Sequence, residues 1–128
     1  MRHGGRRPTI NLVPYDAERH RGGVRGVLAK NGWEEHYIAG QLDELNVFSA
    51  SPSSRTRGKV YVHEAEERGV GGFVSVEFRR WNRLRQLHGL AVDPRLKRRG
   101  IASALVGRAE VFVRREGRQA RALRGHAR

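Results

Sequence analysis

Apolar positions in the first third of the chain alternate at first and then recur every three or four residues. The alternation over residues 8–14 predicts a short strand that ends at Pro14. Helical spacing behind it predicts a first helix from an Asp16 N-cap to Asn31-Gly32, and a second helix over residues 33–48. The apolar positions that define these helices are Val24, Val27, Leu28, Ile38, Leu42 and Leu45.

The middle of the chain shows the two-residue period of β-strands. Residues 49–58 have the composition of a loop, and alternation then predicts strands over 59–65 and 70–78 that form a hairpin with its turn at 66–69. A further strand is expected over 86–92. The apolar face of the second hairpin strand consists of Val74, Val76 and Phe78.

The most regular helical pattern spans residues 100–116. The basic segment 117–128 has no β-branched residue and is expected to be either frayed helix or disorder. The element order is therefore βααβββα in one domain, with a core over 8–116 between basic tails at 1–7 and 117–128. The apolar face of the last helix consists of Ile101, Leu105, Ala109, Phe112 and Val113.

Composition excludes several classes of chemistry. The 128 residues contain no cysteine, so disulfides, zinc-cysteine sites and thiol catalysis are excluded, and a reducing compartment is expected. No apolar run has the length of a signal peptide core or a membrane span. We therefore expect a cytoplasmic protein without a membrane partner.

Charge is distributed unevenly along the chain. The formal net charge is +13, and residues 79–128 account for +12 of it. This asymmetry suggests a polyanionic partner, either nucleic acid or a phosphorylated small molecule. An alternative stays open, because 23 of the 26 cations are Arg, a bias that GC-rich coding produces without selection for binding.

The segment "LKRRGIASAL", residues 96–105, joins the last predicted strand to the last helix. A helix N-terminus has backbone N–H groups without helical partners and a partial positive charge, so a phosphate fits there. Gly100 would let the backbone approach closely, Ala102 would keep the first turn thin, and the Ser103 hydroxyl is a further donor. A plain strand-to-helix loop with a solvated basic face is the alternative. Neither a Walker loop nor a dinucleotide fingerprint occurs in the chain.

Residues 87–117, "LHGLAVDPRLKRRGIASALVGRAEVFVRREG", resemble the acetyl-CoA-binding motif of the GNAT acetyltransferase superfamily. The resemblance implies a mixed α/β (α+β) fold with a central, mostly antiparallel sheet in βααβββα order. It also implies that the family's C-terminal strands and helix are missing here. The matching positions are Leu90, Val92 and Pro94 in the strand and Lys97, Gly100 and Ala102 in the loop; Lys97 stands where the family usually has Gln or Arg.

The resemblance implies acetyl-CoA as co-substrate and an amine as acceptor. The main chain of Leu90 and Val92 would bind the pantetheine arm, and the N–H groups from Arg98 to Ser103 would hold the pyrophosphate. The implied cofactor-binding residues are Leu90, Ala91, Val92, Lys97, Arg98, Arg99, Gly100, Ile101, Ala102 and Ser103.

Acetyl transfer to an amine needs a base, and the candidates are few. Gln86 stands where many family members have a strand glutamate, and an amide cannot act as a base. Glu77 and His88 are therefore the candidate catalytic residues, acting directly or through water. The family's usual acid, a tyrosine, belongs to the missing half. The other histidines show no metal-ligand spacing, so no metal site is expected.

Three functions stay open from the sequence. The first is an acetyl-CoA-dependent N-acetyltransferase of unknown acceptor, whose activity truncation could impair. The second is a non-catalytic nucleic-acid-binding protein that uses Trp81 as a stacking platform. The third is a coenzyme-binding fragment that pairs with another chain, including a second copy, along an unpaired strand edge. The cations around Trp81 are Arg79, Arg80, Arg83 and Arg85.

Overall fold

Three helices cover the two faces of a four-stranded sheet in the part of the chain that the computed structural model describes, residues 10–50, 56–65, 69–79 and 84–126. The elements are β1 (Leu12–Pro14), α1 (Ala17–Lys30), α2 (Glu35–Ala50), β2 (Thr56–Ala65), β3 (Gly69–Arg79), β4 (Leu84–Val92) and α3 (Ile101–His126). A 3-10 turn over Pro94–Leu96 joins β4 to α3. The predicted order and the mixed α/β class are confirmed.

The sheet is antiparallel throughout, in the order β1-β2-β3-β4. Strand β3 is buried along nearly its whole length because α1 and α2 lie on one face and α3 on the other. Its alternate residues therefore belong to two cores, with Phe73 under α1 and α2 and Val74, Val76 and Phe78 under α3. The predicted apolar face of this strand is confirmed.

Both ends of α1 are capped as the sequence predicts. The Asp16 carboxylate accepts a hydrogen bond from the backbone N–H of Glu18, which satisfies a donor of the first turn. Asn31 caps the C-terminus, and Gly32 follows it at a φ of +86°, in the left-handed region that commonly ends helices. The six apolar positions assigned to α1 and α2 are all buried.

Several boundaries differ from the predictions. Strand β1 begins only at Leu12. Strand β2 begins at Thr56, inside the segment expected to be a loop, because its backbone pairs with the end of β3 (Thr56 with Arg79) whatever the polarity of the side chains. Helix α3 continues to His126, well past the predicted end at residue 116, and arginine is among the better helix formers.

Some predictions fall outside the described residues. These are the N-terminal tail, the first two residues of the predicted first strand, most of the hairpin turn, and the segment that contains Trp81. The ranges concerned are 1–9, 51–55, 66–68, 80–83 and 127–128.

Candidate cofactor and active site

A β-bulge in β4 sets the direction of the side chains around the candidate site. Ser75 pairs with Gly89 while Val76 pairs with Leu87, so His88 is an extra residue on the β4 side of the ladder. His88 consequently contacts α2, because its ring lies edge-on to that of Phe48 with the centroids 4.8 Å apart. Farther along the strand the alternation resumes, and Ala91 packs under α1 and α2 while Val92 packs under α3.

The bulge brings the two candidate catalytic residues into contact. His88 Nε2 lies 2.6 Å from Glu77 Oε1, and the second carboxylate oxygen accepts a hydrogen bond of 3.3 Å from Arg79 Nε. The two side chains are 20% and 10% exposed. Because a carboxylate can only accept, Nε2 carries the hydrogen in this pair, and Nδ1 of a neutral ring keeps its lone pair.

Glu44 of α2 faces that second ring nitrogen. Its Oε2 lies 3.8 Å from His88 Nδ1, and its Oε1 accepts a hydrogen bond of 3.4 Å from Gln41 Nε2. The sequence did not single out Glu44, and its helical position alone could not, because only the packing of α2 on the β4 bulge brings it there.

A cavity of about 510 Å³ opens at the junction of β4 and α3. The first hydrogen bond of α3 runs from the N–H of Ala104 to the carbonyl of Gly100, so the amides of residues 101–103 precede the helical ladder. Nine of the ten predicted cofactor-binding residues line this cavity; these are Leu90, Ala91, Val92, Lys97, Arg98, Gly100, Ile101, Ala102 and Ser103. The tenth, Arg99, is exposed and is not among the lining residues.

The loop before α3 has an unusual backbone. Arg98 and Gly100 both lie in the left-handed region, at φ of +68° and +80°. A non-glycine residue rarely adopts this conformation, and successive backbone N–H groups in such alternating turns form a concavity that suits an anion. A Cβ on Gly100 would meet no atom within 4 Å. Glycine is therefore favoured at this position by the backbone conformation and not by a lack of space for a side chain.

Two further lining residues, Asn31 and Trp33, come from the α1–α2 connection. The Asn31 side chain donates to the carbonyls of Val27, at 2.8 Å, and of Val92, at 3.0 Å. It therefore ties the end of α1 to the end of β4. The sequence predicts Asn31 only as a helix terminus, because nothing local distinguishes a capping asparagine from one that also bridges to a strand.

Electrostatic contacts fix the turn between β4 and α3. Arg95 donates to the buried Asp93 carboxylate through its side chain, at 3.1 and 3.3 Å, and through its backbone N–H, at 2.9 Å. Lys30 of α1 adds an ion pair of 3.1 Å. The hydrogen bonds from Arg95 and the pair with Lys30 outweigh burial and hold the pKa of Asp93 well below its usual range. Asp93 is consequently ionised at neutral pH and anchors the loop.

The three tyrosines lie in different environments. Tyr61 is buried on the α3 face of the sheet with the Arg108 guanidinium 4.9 Å from its ring centroid, and burial raises its pKa. Tyr15 is buried against α1 and α2, and burial raises its pKa as well. Tyr37 is exposed on α2 and contacts the ring of His36.

Two features are absent from the described residues. No group of three or more potential ligands is arranged to hold a metal ion there. Among the helices of the same residues, none is both long enough and apolar enough to cross a membrane.

Comparison with known families decides what this architecture is. The model of the acetyltransferase (GNAT) family matches residues 28–126, more than half of the chain. The chain belongs to the GNAT family. The predicted family is thereby confirmed, and the class of enzyme that defines this family is the predicted one, an acetyltransferase. No curated protein matches the sequence.

Solved structures show the same GNAT fold at low sequence identity. An acetyltransferase of the GNAT family from Staphylococcus aureus Mu50 has 13% identity and a TM-score of 0.63 over 84% of this chain and 68% of that one. The PaiA N-acetyltransferase from Thermoplasma acidophilum, solved in complex with coenzyme A, has 16% identity and a TM-score of 0.52 over 85% and 74%.

A third GNAT structure is much larger than this chain. It is the GCN5-related glucosamine N-acetyltransferase region of a fungal multi-domain GH3 β-N-acetylglucosaminidase, with 17% identity and a TM-score of 0.62 over 88% of this chain. This chain spans only 13% of that protein. None of these comparisons supports the nucleic-acid alternative, and Arg79, one of the cations assigned to it, is ion-paired with Glu77.

Proposed function

We propose that this GNAT domain uses acetyl-CoA to acetylate an amine, with His88 as the base and Glu77 as the residue that orients it. The observation that carries the proposal is that one strand, β4, contributes both to the candidate cofactor cavity and to the candidate catalytic pair. Its end forms a wall of the cavity at the α3 N-terminus, and its bulge places His88 2.6 Å from Glu77.

The residues of the cavity suit a diphosphate ligand. The amides at the start of α3, the left-handed backbone at Arg98 and Gly100, and the Lys97 ammonium all favour a bound anion. We assign the pyrophosphate to the backbone from Arg98 to Ser103, and the pantetheine arm to the edge of β4 from Leu90 to Val92. When bound, acetyl-CoA supplies an acetyl group activated as a thioester.

The residues around the bulge suit the handling of a proton. Glu77 holds Nε2–H and so fixes the ring of His88, which leaves Nδ1 to accept a proton from the attacking amine. Once deprotonated, the amine nitrogen forms the new bond to the acetyl carbon, and the bond from that carbon to sulfur breaks. The second proton that the nitrogen then loses passes to the departing sulfur, directly or through water, so coenzyme A leaves as the thiol. Two carboxylates, Glu77 and Glu44, flank the ring that carries the transferred proton.

A thiol-release assay tests this proposal. The chain contains no cysteine, so a thiol reagent detects only the coenzyme A that is set free. A panel of primary amines is offered to the wild type and to His88→Gln, with His36→Gln, an exposed histidine on α2, as the matched control. Because general-base catalysis contributes roughly 100-fold or more, His88→Gln should lose at least that factor in kcat, and His36→Gln should match the wild type.

Two results would overturn the proposal. The first is a cooperatively folded wild type that releases no thiol with any amine of the panel. The second is a His88→Gln variant as active as the wild type.

A further inference from the structure

The segment around α2 differs in charge from the rest of the molecule. Residues 31–54 contain four carboxylates and neither Lys nor Arg, although Lys and Arg make up 26 of the 128 residues of the chain. A ligand that approaches the bulge of β4 from this side therefore meets a segment of net negative charge on a protein of net charge +13. The four carboxylates are Glu34, Glu35, Asp43 and Glu44.

Two of these carboxylates are engaged with α1. Glu35 pairs with Arg25, and Asp43 lies 4.0 Å from Arg21. Glu44 has a different environment, since its hydrogen-bond and ion-pair contacts among the described residues are with Gln41 and His88 rather than with a Lys or Arg. Its side chain is 41% exposed, so a ligand from solvent can reach it.

Helix α2 also packs over the bulge of β4. A Cβ on Gly89 would lie 3.1 Å from Gln41 Nε2 and 3.1 Å from the Phe73 ring, so α2 rests directly on β4 at this point. Gln41 in turn donates to Glu44 and fixes that carboxylate near the base. An amine that reaches His88 from the α2 side therefore passes the Glu44 carboxylate.

An unpartnered buried group lies next to this position. Ser75 is fully buried, and its hydroxyl has no hydrogen-bond partner in the part of the chain that the structure describes. It lies on the same face of β3 as Glu77 and pairs with Gly89, beside the bulge. Buried hydroxyls are normally hydrogen-bonded, so this one keeps an unused donor and acceptor beside the bulge.

We propose that Glu44 selects the acceptor, which is a small cationic amine that docks as its ammonium against this carboxylate beside His88 Nδ1. The inference rests on the proposed function and names its substrate class. Because Glu44 Oε2 and His88 Nδ1 are 3.8 Å apart, one ammonium can contact both, and its proton passes to the ring nitrogen. A second positive charge on the acceptor is attracted by the net negative charge of residues 31–54, and a carboxylate on it is repelled.

Three amines with chains of equal length test whether the charge of the acceptor decides its use: 1,4-diaminobutane, butylamine and 4-aminobutanoate. We expect the kcat/KM for thiol release to fall in that order, by about tenfold or more from the first to the last, and the spread to shrink as sodium chloride is raised. Glu44→Gln should reduce the spread several-fold. Asp43→Asn, on the neighbouring residue whose side chain is 77% exposed, should keep the wild-type spread.

A second readout does not depend on turnover. Calorimetric titration of 1,4-diaminobutane into the protein saturated with coenzyme A should give a dissociation constant that rises about tenfold in Glu44→Gln and stays unchanged in Asp43→Asn. Equal use of the three amines, a preference for 4-aminobutanoate, or an unchanged spread in Glu44→Gln would overturn the inference and leave acetyl transfer intact. Absence of transfer to all three amines, together with absence of diamine binding, would overturn both proposals.

Discussion

At the scale of single residues, the glycines of α1 separate into two kinds. A Cβ on Gly23 would lie 2.6 and 2.7 Å from side-chain carbons of Val70 and 3.1 Å from its backbone nitrogen, whereas one on Gly22 would meet nothing within 4 Å. The sequence shows both only as residues that weaken a helix. In the structure, Gly23 of α1 lies directly against Val70 of β3.

This difference predicts opposite effects of the same substitution. Gly23→Ala should lower the free energy of unfolding by about 1–3 kcal/mol, because Val70 can move aside only with its strand. Gly22→Ala should raise it by about 0.5–1 kcal/mol, because the exposed site loses only backbone freedom in the unfolded chain. Urea denaturation of both variants measures the difference. Equal effects would show that α1 and β3 are not in contact at Gly23.

His63 gives a pH-dependent prediction at the same scale. It is buried in β2, where burial lowers its pKa from 6.5 although the hydrogen bond with the backbone of Asn11 acts in the opposite direction. The unfolded chain therefore binds the proton first as the pH falls, and stability decreases below pH 6.5 until the folded state is protonated as well.

His63→Gln removes that titration. The free energy of unfolding of the variant should fall less than that of the wild type between pH 7 and pH 5, by up to about 1.4 kcal/mol per pH unit for one site. Chemical denaturation at a series of pH values checks this, since the other histidines are common to both proteins. Parallel curves would contradict a lowered pKa for His63.

At the scale of elements, the junction of α1, β4 and α3 depends on one side chain. Asn31 holds the last carbonyl of β4 and a carbonyl of α1 together, at the edge of the cofactor cavity. Lys30 reaches Asp93 across the same junction. The cavity is therefore bounded by elements that are distant in sequence and that a few polar contacts align.

Removal of this bridge should affect both stability and ligand binding. Asn31→Ala leaves the Val92 carbonyl without its side-chain donor and should cost about 1–3 kcal/mol of stability, and it should weaken acetyl-CoA binding several-fold. Asn11→Ala is the control, because Asn11 is exposed and its recorded hydrogen bonds use its backbone. Thermal unfolding with and without acetyl-CoA measures both effects. An Asn31→Ala variant with an unchanged ligand-induced shift would exclude this role.

The same junction shows what the sequence can and cannot predict. Alternation identified β2 and β3 because their side chains face two buried cores, and the N-cap at Asp16 gave the start of α1. The strand-to-helix loop at Gly100 can be predicted because the local sequence shows a basic run, a glycine and then an apolar helical pattern. The contact of Glu44 with His88 was not, because it arises from a bulge in β4 and the packing of α2, neither of which leaves a local pattern.

At the scale of the whole molecule, the distribution of charge follows the layers of the fold. The half of the chain with net charge +12 contains the last strand, the loop at Lys97 to Gly100 and helix α3, while the carboxylates of α2 lie on the other face of the sheet. A multiply phosphorylated ligand is attracted to the first side, and a cationic acceptor to the second. In the proposed reaction, the two reactants would meet at β4 beside His88, the proposed base.

Calorimetric titration of acetyl-CoA measures whether the turn before α3 binds the pyrophosphate, as proposed. Wild-type protein is compared with Gly100→Ala, which forces a side chain onto a residue at φ +80°, and with Gly107→Ala, a helical glycine of α3 whose Cβ would meet nothing within 4 Å. Since the left-handed conformation costs an alanine roughly 1–2 kcal/mol, Gly100→Ala should bind acetyl-CoA about tenfold more weakly, and Gly107→Ala should bind like the wild type. Equal affinity in all three proteins, or no binding to a folded wild type, would contradict the account.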